Sequence, residues 1–88
     1  MKFIHTQFGI FGLSKLETGR HWVCMSCRNV DKDTLTPMQE YEDGDHEPDG
    51  DSLCADCARK EVTKRRPGLD KWIRLSVEEV EKVLEAMK

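Results

Sequence analysis

Four cysteines, arranged as two pairs, are the residues of this sequence best suited to do chemistry. Cys24 and Cys27 form one pair, Cys54 and Cys57 form the other, and 26 residues separate the pairs. A two-residue spacer lets both thiolates of a pair turn toward one ion, and four thiolates complete a tetrahedral zinc site. We therefore predict one structural Zn²⁺ bound by these four cysteines, although a four-thiolate site also accepts iron.

The length of the chain makes such a metal important for folding. With 88 residues there is room for a single domain over 1–88, and a chain this short buries only about 60 to 65% of the surface that unfolding exposes. A structural zinc contributes an apparent ~10 to 16 kcal/mol, which is comparable to the net stability of an ordinary domain. We expect the metal-free chain to lose its fold around the two cysteine pairs.

The N-terminal segment 1–7 is too polar for a signal peptide, and no apolar run approaches the ~18 residues of a membrane span. We therefore expect a cytoplasmic protein without a membrane partner. In that reducing compartment, close cysteine pairs are metal ligands more often than disulfides. Structural disulfides are one alternative, and a thioredoxin-like redox pair is another, but the latter belongs to a βαβ unit for which this chain is too short.

Charge is strongly segregated along the sequence, so the net charge of −3 says little about partners. Residues 31–56 carry ten acidic side chains against Lys32, whereas residues 58–74 carry seven basic side chains against Glu61 and Asp70. The segment 42–51 combines six carboxylates with two glycines and a proline, which predicts an exposed, mobile acidic loop. An EF-hand calcium site is the less favoured interpretation, because its fixed ligand order is missing.

Local patterns predict the elements on either side of the first cysteine pair. Residues 2–11 are rich in β-formers and predict a strand or short hairpin with Phe3, Phe8 and Phe11 in the core. The apolar stretch before Cys24 predicts a strand that ends in a zinc knuckle, a tight turn in which Asn29 adopts the positive φ. Residues 30–41 are predicted to form a hairpin after the knuckle.

Two helices are predicted in the second half of the chain. The first begins near Cys54 with Asp51 or Ser52 as its cap, and it ends before Pro67-Gly68. The second spans 76–87, because Ser76 and Glu79 match a capping box. An apolar stripe follows at helical spacing and should cover the core, a homodimer or partner groove being the alternative; it comprises Val77, Val80, Val83, Leu84 and Met87.

The order of strand, C-x-x-C knuckle, hairpin and C-x-x-C at a helix start resembles the treble-clef zinc fingers, which include GATA-type and LIM-type modules. The resemblance covers residues 21–66 and implies that the knuckle supplies Cys24 and Cys27, while the helix N-terminus supplies Cys54 and Cys57. It implies a small α+β, zinc-stabilised domain, here extended by an N-terminal strand or hairpin and a C-terminal amphipathic helix. The acidic loop 42–51 accounts for the long spacer between the pairs.

A second resemblance concerns Asp45-His46 and the stretch 53–60, which are similar to a fragment of HNH-type nucleases. In that family a histidine activates water and a second metal holds the scissile phosphate. This chain departs from the family pattern at Ala58, where a histidine is usual, and it lacks the expected Asn before Leu53-Cys54. No catalytic residue is therefore assigned.

We expect a non-enzymatic zinc protein that works by binding, as a regulatory or adaptor protein, with no small-molecule substrate. A protein partner is favoured over DNA or RNA, because the acidic residues raise the cost of approaching phosphates. The nucleic-acid alternative assigns a basic face with one stacking aromatic. That face comprises Arg59, Lys60, Lys64, Arg65, Arg66, Lys71, Trp72 and Arg74.

Overall fold

The computed structural model describes residues 2–14, 23–29, 31–64, 66–67 and 69–87. Within these residues the protein is a small α+β structure in which an antiparallel five-stranded sheet packs against two α-helices. The strands are β1 (Lys2–Thr6), β2 (Gly9–Ser14), β3 (Thr34–Glu40), β4 (His46–Pro48) and β5 (Leu53–Cys54). The helices are α1 (Ala55–Glu61) and α2 (Val77–Ala86), and a short 3-10 segment covers Trp72–Arg74.

Strands β1 and β2 form a tight hairpin around Gln7 and Phe8, with Thr6 opposite Gly9. Gly9 has a φ of +122°, a conformation that residues with a Cβ rarely adopt. The Thr6 hydroxyl stabilises the turn, because it donates to the Gly9 carbonyl at 2.7 Å and accepts from the Phe8 N–H at 3.1 Å. The N-terminal hairpin predicted from the β-formers is therefore present, closed by one glycine and one threonine.

Strand β3 is the centre of the sheet, since it pairs with β2 along one side and with both β4 and β5 along the other. Along the side of β3 that pairs with β4 and β5, Pro37 lies between the residues paired with β5 and those paired with β4. A proline has no N–H to donate to a ladder. Its carbonyl still accepts the Asp49 N–H at 2.8 Å, and the neighbouring chain then leaves the ladder until Leu53.

The acidic segment 42–51, which we predicted as a mobile loop, is more ordered than expected. A turn closed by hydrogen bonds between Tyr41 and Asp45 and between Gly44 and Tyr41 leads into β4. The backbone can therefore pair with β3 even though its side chains have almost nothing to bury. The acidic side chains of 42–49 remain exposed on this hairpin.

The two helices differ in how they begin. Helix α2 has the predicted capping box: the Ser76 hydroxyl accepts the Glu79 N–H, and the Glu79 carboxylate accepts the Ser76 N–H. Helix α1 is shorter than predicted, and its N-cap is Cys54 with no side-chain cap bond, in place of Asp51 or Ser52. Ser52 is instead buried and shares a 2.6 Å hydrogen bond with Thr36 on β3.

The core lies between the sheet and the helices and is continuous with the cysteine site. Cys24 and Cys54 belong to the same buried cluster as Phe11, Trp72 and Val80. Phe8 packs against this cluster, but Phe3 is 36% exposed, which corrects its prediction as a core residue. Val77 is likewise exposed, while the rest of the α2 stripe is buried as predicted.

No helix in the described ranges combines the length and the apolar character that a bilayer crossing requires.

The central side chain of the core is Trp72. It is completely buried, its ring centroid lies 5.0 Å from that of Phe11, and its indole N–H donates to the Asp51 carbonyl at 2.9 Å. We predict that Trp72→Ala lowers the free energy of unfolding of the zinc-loaded protein by about 3 to 5 kcal/mol. Urea unfolding followed by circular dichroism measures this change.

Two further variants test the assignment. Trp72→Phe retains an aromatic ring but loses the indole hydrogen bond, so its loss should be smaller than that of the alanine variant. Arg74→Ala, in the same 3-10 segment but exposed, should stay within about 0.5 kcal/mol of the parent. Equal effects of Trp72→Ala and Arg74→Ala would contradict the central role of the indole.

Candidate metal centre

The structure brings the four predicted ligands together. The Sγ atoms of Cys24, Cys27, Cys54 and Cys57 all lie within 4.8 Å of one another, and all four thiols are free of disulfides. A zinc ion bound to four thiolates at about 2.3 Å requires sulfur atoms about 3.8 Å apart. The Cys27 and Cys54 sulfurs, one from each pair, are 3.9 Å apart. The four cysteines are therefore positioned to bind one metal ion.

The first pair lies on a turn whose backbone is held at both ends. The Arg28 N–H donates to the Cys24 carbonyl at 2.9 Å, and the Met25 N–H donates to the Ser52 carbonyl at 2.8 Å, next to β5. Arg28 has a φ of +60°, so it adopts the left-handed conformation that we predicted for Asn29. The side-chain oxygen of Asn29 instead accepts the Asp31 N–H at 2.7 Å in the following turn.

The second pair lies where β5 meets α1. Cys54 is both the last residue of β5 and the N-cap of α1, and Cys57 follows within the first turn of the helix. The pairing of Cys54 with Thr34 fixes its position beside β3. Cys24 and Cys54 are buried, Cys57 is half-buried and Cys27 is exposed. One edge of the metal centre therefore faces solvent, while the opposite edge is part of the core.

Electrostatics in the cluster favour a mixed protonation state when no cation is bound. Burial opposes ionisation of Cys24, but backbone hydrogen bonds at Cys27, Cys54 and Ser26 outweigh it and lower the pKa of Cys24 to about 6. Burial raises the pKa of Cys57, and hydrogen bonds with the other three cysteine thiols raise it further, to about 12. Burial also raises the pKa of Cys54. Cys24 therefore ionises readily, whereas a cation must compensate the charge of the Cys54 and Cys57 thiolates.

Glu61, which is not one of the four cysteine ligands, links the two segments that carry the cysteine pairs. Its carboxylate is buried at the end of α1, where it accepts a hydrogen bond from the Ser26 hydroxyl of the turn at 24–27 at 3.2 Å. The Lys64 ammonium lies 3.2 Å from Oε1, and the Arg66 guanidinium lies 2.5 Å from Oε2. Burial opposes its ionisation, but Lys64, Arg66 and Ser26 outweigh this effect and lower the pKa of Glu61. Sequence reasoning missed this residue, and only its isolation in a basic segment could have drawn attention to it.

The residues predicted to form a basic face are mostly engaged within the protein. Arg59 forms an ion pair with Glu81 of α2 and another with Asp56, and Lys71 lies 3.2 Å from Asp49 while donating to the Met38 carbonyl. Lys64 and Arg66 pair with Glu61 as described above. Trp72 is buried, so its indole ring is not exposed for the stacking on a base that the nucleic-acid alternative requires. Lys60 and Arg74 are exposed, and Arg65 lies outside the described residues.

Acidic side chains dominate the hairpin that β3 forms with β4. We define the acidic hairpin as residues 40–49, the end of β3, the turn and β4. This hairpin carries six exposed carboxylates and Tyr41, which is 42% exposed and donates its hydroxyl to Glu47. They are Glu40, Glu42, Asp43, Asp45, Glu47 and Asp49. The His46 ring stacks on Phe3 at a centroid distance of 4.1 Å, and among the described residues the only group of side chains suited to metal binding is that of the four cysteines.

Comparisons with protein-family models, with curated proteins and with solved structures found no match to this chain.

Metal binding should release protons at neutral pH. Because the pKa of Cys57 is raised to about 12 and that of Cys54 is also raised, both thiols are protonated at pH 7 and must lose their protons to bind zinc. We expect zinc affinity to fall as the pH falls. Calorimetric titrations with zinc in buffers of different ionisation enthalpy measure the protons released. An observed enthalpy that is the same in every buffer would contradict the prediction.

Glu61→Gln should destabilise the zinc-loaded protein by about 1 to 3 kcal/mol, the usual cost of weakening hydrogen bonds to a charged, buried group. The lowered pKa of Glu61 means that its stabilising contribution is present at neutral pH and is lost as the pH falls through the folded-state pKa. The matched control is Glu81→Gln, which removes the charge of an exposed ion pair and should cost at most about 1 kcal/mol. Chemical denaturation at pH 7 compares the two variants, and a larger loss for Glu81→Gln would sink the prediction.

Proposed function

We propose that this chain is a non-enzymatic zinc module of treble-clef type that acts as a regulatory or adaptor protein by binding a protein partner with a basic surface. The observation that carries the proposal is the convergence of four cysteine sulfurs within 4.8 Å. Four thiolates occupy every position of a tetrahedral zinc ion, and closed sites of this kind are structural, whereas catalytic zinc keeps an open position.

The arrangement of elements supports the treble-clef assignment. The cysteine-bearing turn at 24–27 precedes the β3–β4 hairpin, which precedes the short β5 and the helix that carries the second pair. The β1–β2 hairpin and helix α2 then extend this unit on either side, since β2 pairs with β3 and α2 contacts α1. Zinc is the proposed metal because a four-thiolate tetrahedral shell suits it.

The distribution of free charge supports a protein partner with a basic surface. The acidic hairpin presents its carboxylates on a backbone paired with β3, so a partner that binds it loses less free energy in ordering the backbone than with an unpaired loop. Complementary charge between such surfaces accelerates association and selects partners. Tyr41, an exposed aromatic that directly follows β3, is a residue type enriched where proteins bind one another.

The nucleic-acid alternative has less support in this conformation. Five of the eight residues assigned to the basic face either pair with acids of the same chain or are buried, namely Arg59, Lys64, Arg66, Lys71 and Trp72. Phosphate binding would require breaking those pairs. The HNH-type alternative is not favoured either, because His46 is stacked on Phe3.

The first test concerns the metal. Native mass spectrometry of the purified protein should find one zinc ion per chain, and replacing Cys54 with serine should abolish tight binding and the cooperative unfolding transition. Chelation followed by circular dichroism provides the independent measurement. An unchanged cooperative melt after complete zinc removal would overturn the structural role of the metal.

The second test concerns the partner surface. We predict that neutralising the acidic hairpin with Glu42→Gln, Asp43→Asn, Asp45→Asn and Glu47→Gln lowers partner affinity by at least about tenfold, because complementary charges are lost. Affinity capture compared quantitatively between parent and variant, followed by titration of the captured protein, gives this measurement. The matched control carries Lys60→Gln and Arg74→Gln, which remove exposed bases, and it should bind as the parent does.

Fluorescence anisotropy with labelled DNA and RNA distinguishes the nucleic-acid alternative. We expect no binding at physiological salt. Binding that weakens steeply with salt and is lost in the Lys60→Gln, Arg74→Gln control would reverse the assignment in favour of nucleic acid.

A further inference from the structure

A metal ion bound by the four cysteines leaves the centre with a surplus of negative charge. A divalent cation neutralises only two of the four thiolates that a closed tetrahedral site requires. Part of this charge lies inside the protein, since Cys24 and Cys54 are buried, while Cys27 is exposed. A positive charge close to the ligands, but outside the ligand set, stabilises such a centre. The structure places one lysine in this position.

Lys32 lies beside the segment that carries the second cysteine pair. It comes two residues before Thr34, the first residue of β3, and Thr34 is paired with Cys54 across the sheet. The Lys32 ammonium lies 3.4 Å from Oδ2 of Asp56. Asp56 belongs to the first turn of α1, between Cys54 and Cys57 in the chain. The lysine side chain therefore extends along the junction of β5 and α1 and ends at the helical turn that carries Cys57.

The cysteines themselves act on this lysine. The hydrogen bond to Asp56 is the main reason that the pKa of Lys32 is raised, and the negative charge of Cys54 raises it further, with a smaller effect from Cys27. These two cysteines come from different pairs, and their sulfurs are 3.9 Å apart. Lys32 therefore lies on the side of the centre where the two pairs meet, and its charge acts on a ligand from each pair.

Lys32 is less neutralised by carboxylates than its neighbour Arg59. Among the ion pairs of the described residues, Lys32 has one acidic partner, Asp56, whereas Arg59 has two, Asp56 and Glu81. Asp56 thus lies between two cations and cannot neutralise both of them. The positive charge of Lys32 is therefore partly left for the thiolates.

We propose that Lys32 strengthens metal binding without touching the metal: held by Asp56 beside Cys54 and Cys27, its ammonium offsets the surplus negative charge of the loaded centre. This inference rests on the proposed metal site. The ammonium acts through its charge alone, because it has no lone pair to offer a metal. An exposed ion pair contributes little to folding, and the side chains of Lys32 and Asp56 are 41% and 65% exposed. The effect is therefore expected on the metal rather than on the stability of the fold.

Competition of the zinc-loaded full chain with a chelator tests the proposal. At low ionic strength, Lys32→Gln should weaken zinc binding about three- to fivefold, the size of effect that one exposed charge has. Lys32→Arg keeps the charge and should restore the affinity. The matched control is Lys82→Gln, which removes the same charge beside β1 and should bind zinc as the parent does. At about 1 M salt the loss in Lys32→Gln should disappear, because salt screens exposed charges.

Replacing zinc with iron provides a readout that separates charge from structure. A four-thiolate site accepts iron, and the local charge shifts the Fe(III)/Fe(II) reduction potential. Reduction adds one negative charge to the centre, so Lys32→Gln should lower the potential, whereas Asp56→Asn removes a negative charge and should raise it. Both variants break the same ion pair, so a purely structural role of that pair would shift the potential in the same direction. Electrochemical titration of the iron-loaded proteins measures both shifts.

Opposite shifts in the two variants, together with the loss of zinc affinity in Lys32→Gln, are the result expected. Shifts of the same sign, no shift in either variant, or parental zinc affinity of Lys32→Gln at low salt would overturn the role of Lys32 while the metal site stands. A chain that binds neither zinc nor iron would overturn the metal site and this inference together.

Discussion

Four thiol groups lie within 4.8 Å of one another, and as thiolates they repel each other unless a cation lies between them. Two of the four are also buried, where an uncompensated charge is most costly. The rest of the structure depends on how this conflict is resolved. Binding a divalent metal converts the repulsion into attraction, and it adds to the Met25–Ser52 and Ser26–Glu61 hydrogen bonds that join the turn at 24–27 to β5 and α1.

The surroundings of the cysteines reinforce this link without competing for the metal. The buried carboxylate of Glu61 connects the turn at 24–27, through Ser26, to the end of α1, and it forms ion pairs with Lys64 and Arg66. Arg59 joins α1 to α2 in the same way through Glu81. Much of the basic charge in the second half of the chain is thus used to hold the two helices and the metal turn together. Most of the acidic charge of the β3–β4 hairpin is left facing solvent, although Asp49 forms an ion pair with Lys71.

The features that could be predicted from the sequence are those encoded by residues close together in the chain. The C-x-x-C pairs and the capping box at Ser76 depend on spacings of three residues, so their chemistry is visible locally. The burial of Trp72 against Phe11 and the ion pair of Arg59 with Glu81 could not be predicted, because these partners are distant in sequence and a basic or aromatic residue looks the same whether or not it has such a partner. The strand β4 was missed for a similar reason, since pairing with β3 overrides a composition typical of loops.

Pro37 gives the sheet a mechanical property that follows from its missing N–H. Its position interrupts the ladder along one side of β3, so that the pairing with β4 and the pairing with β5 form two separate blocks. Separate blocks can open independently, and local opening needs far less free energy than global unfolding. The acidic hairpin can therefore fray or adjust its shape while β5 continues to hold Cys54 in place, which separates the surface that faces solvent from the segment that holds the metal ligands.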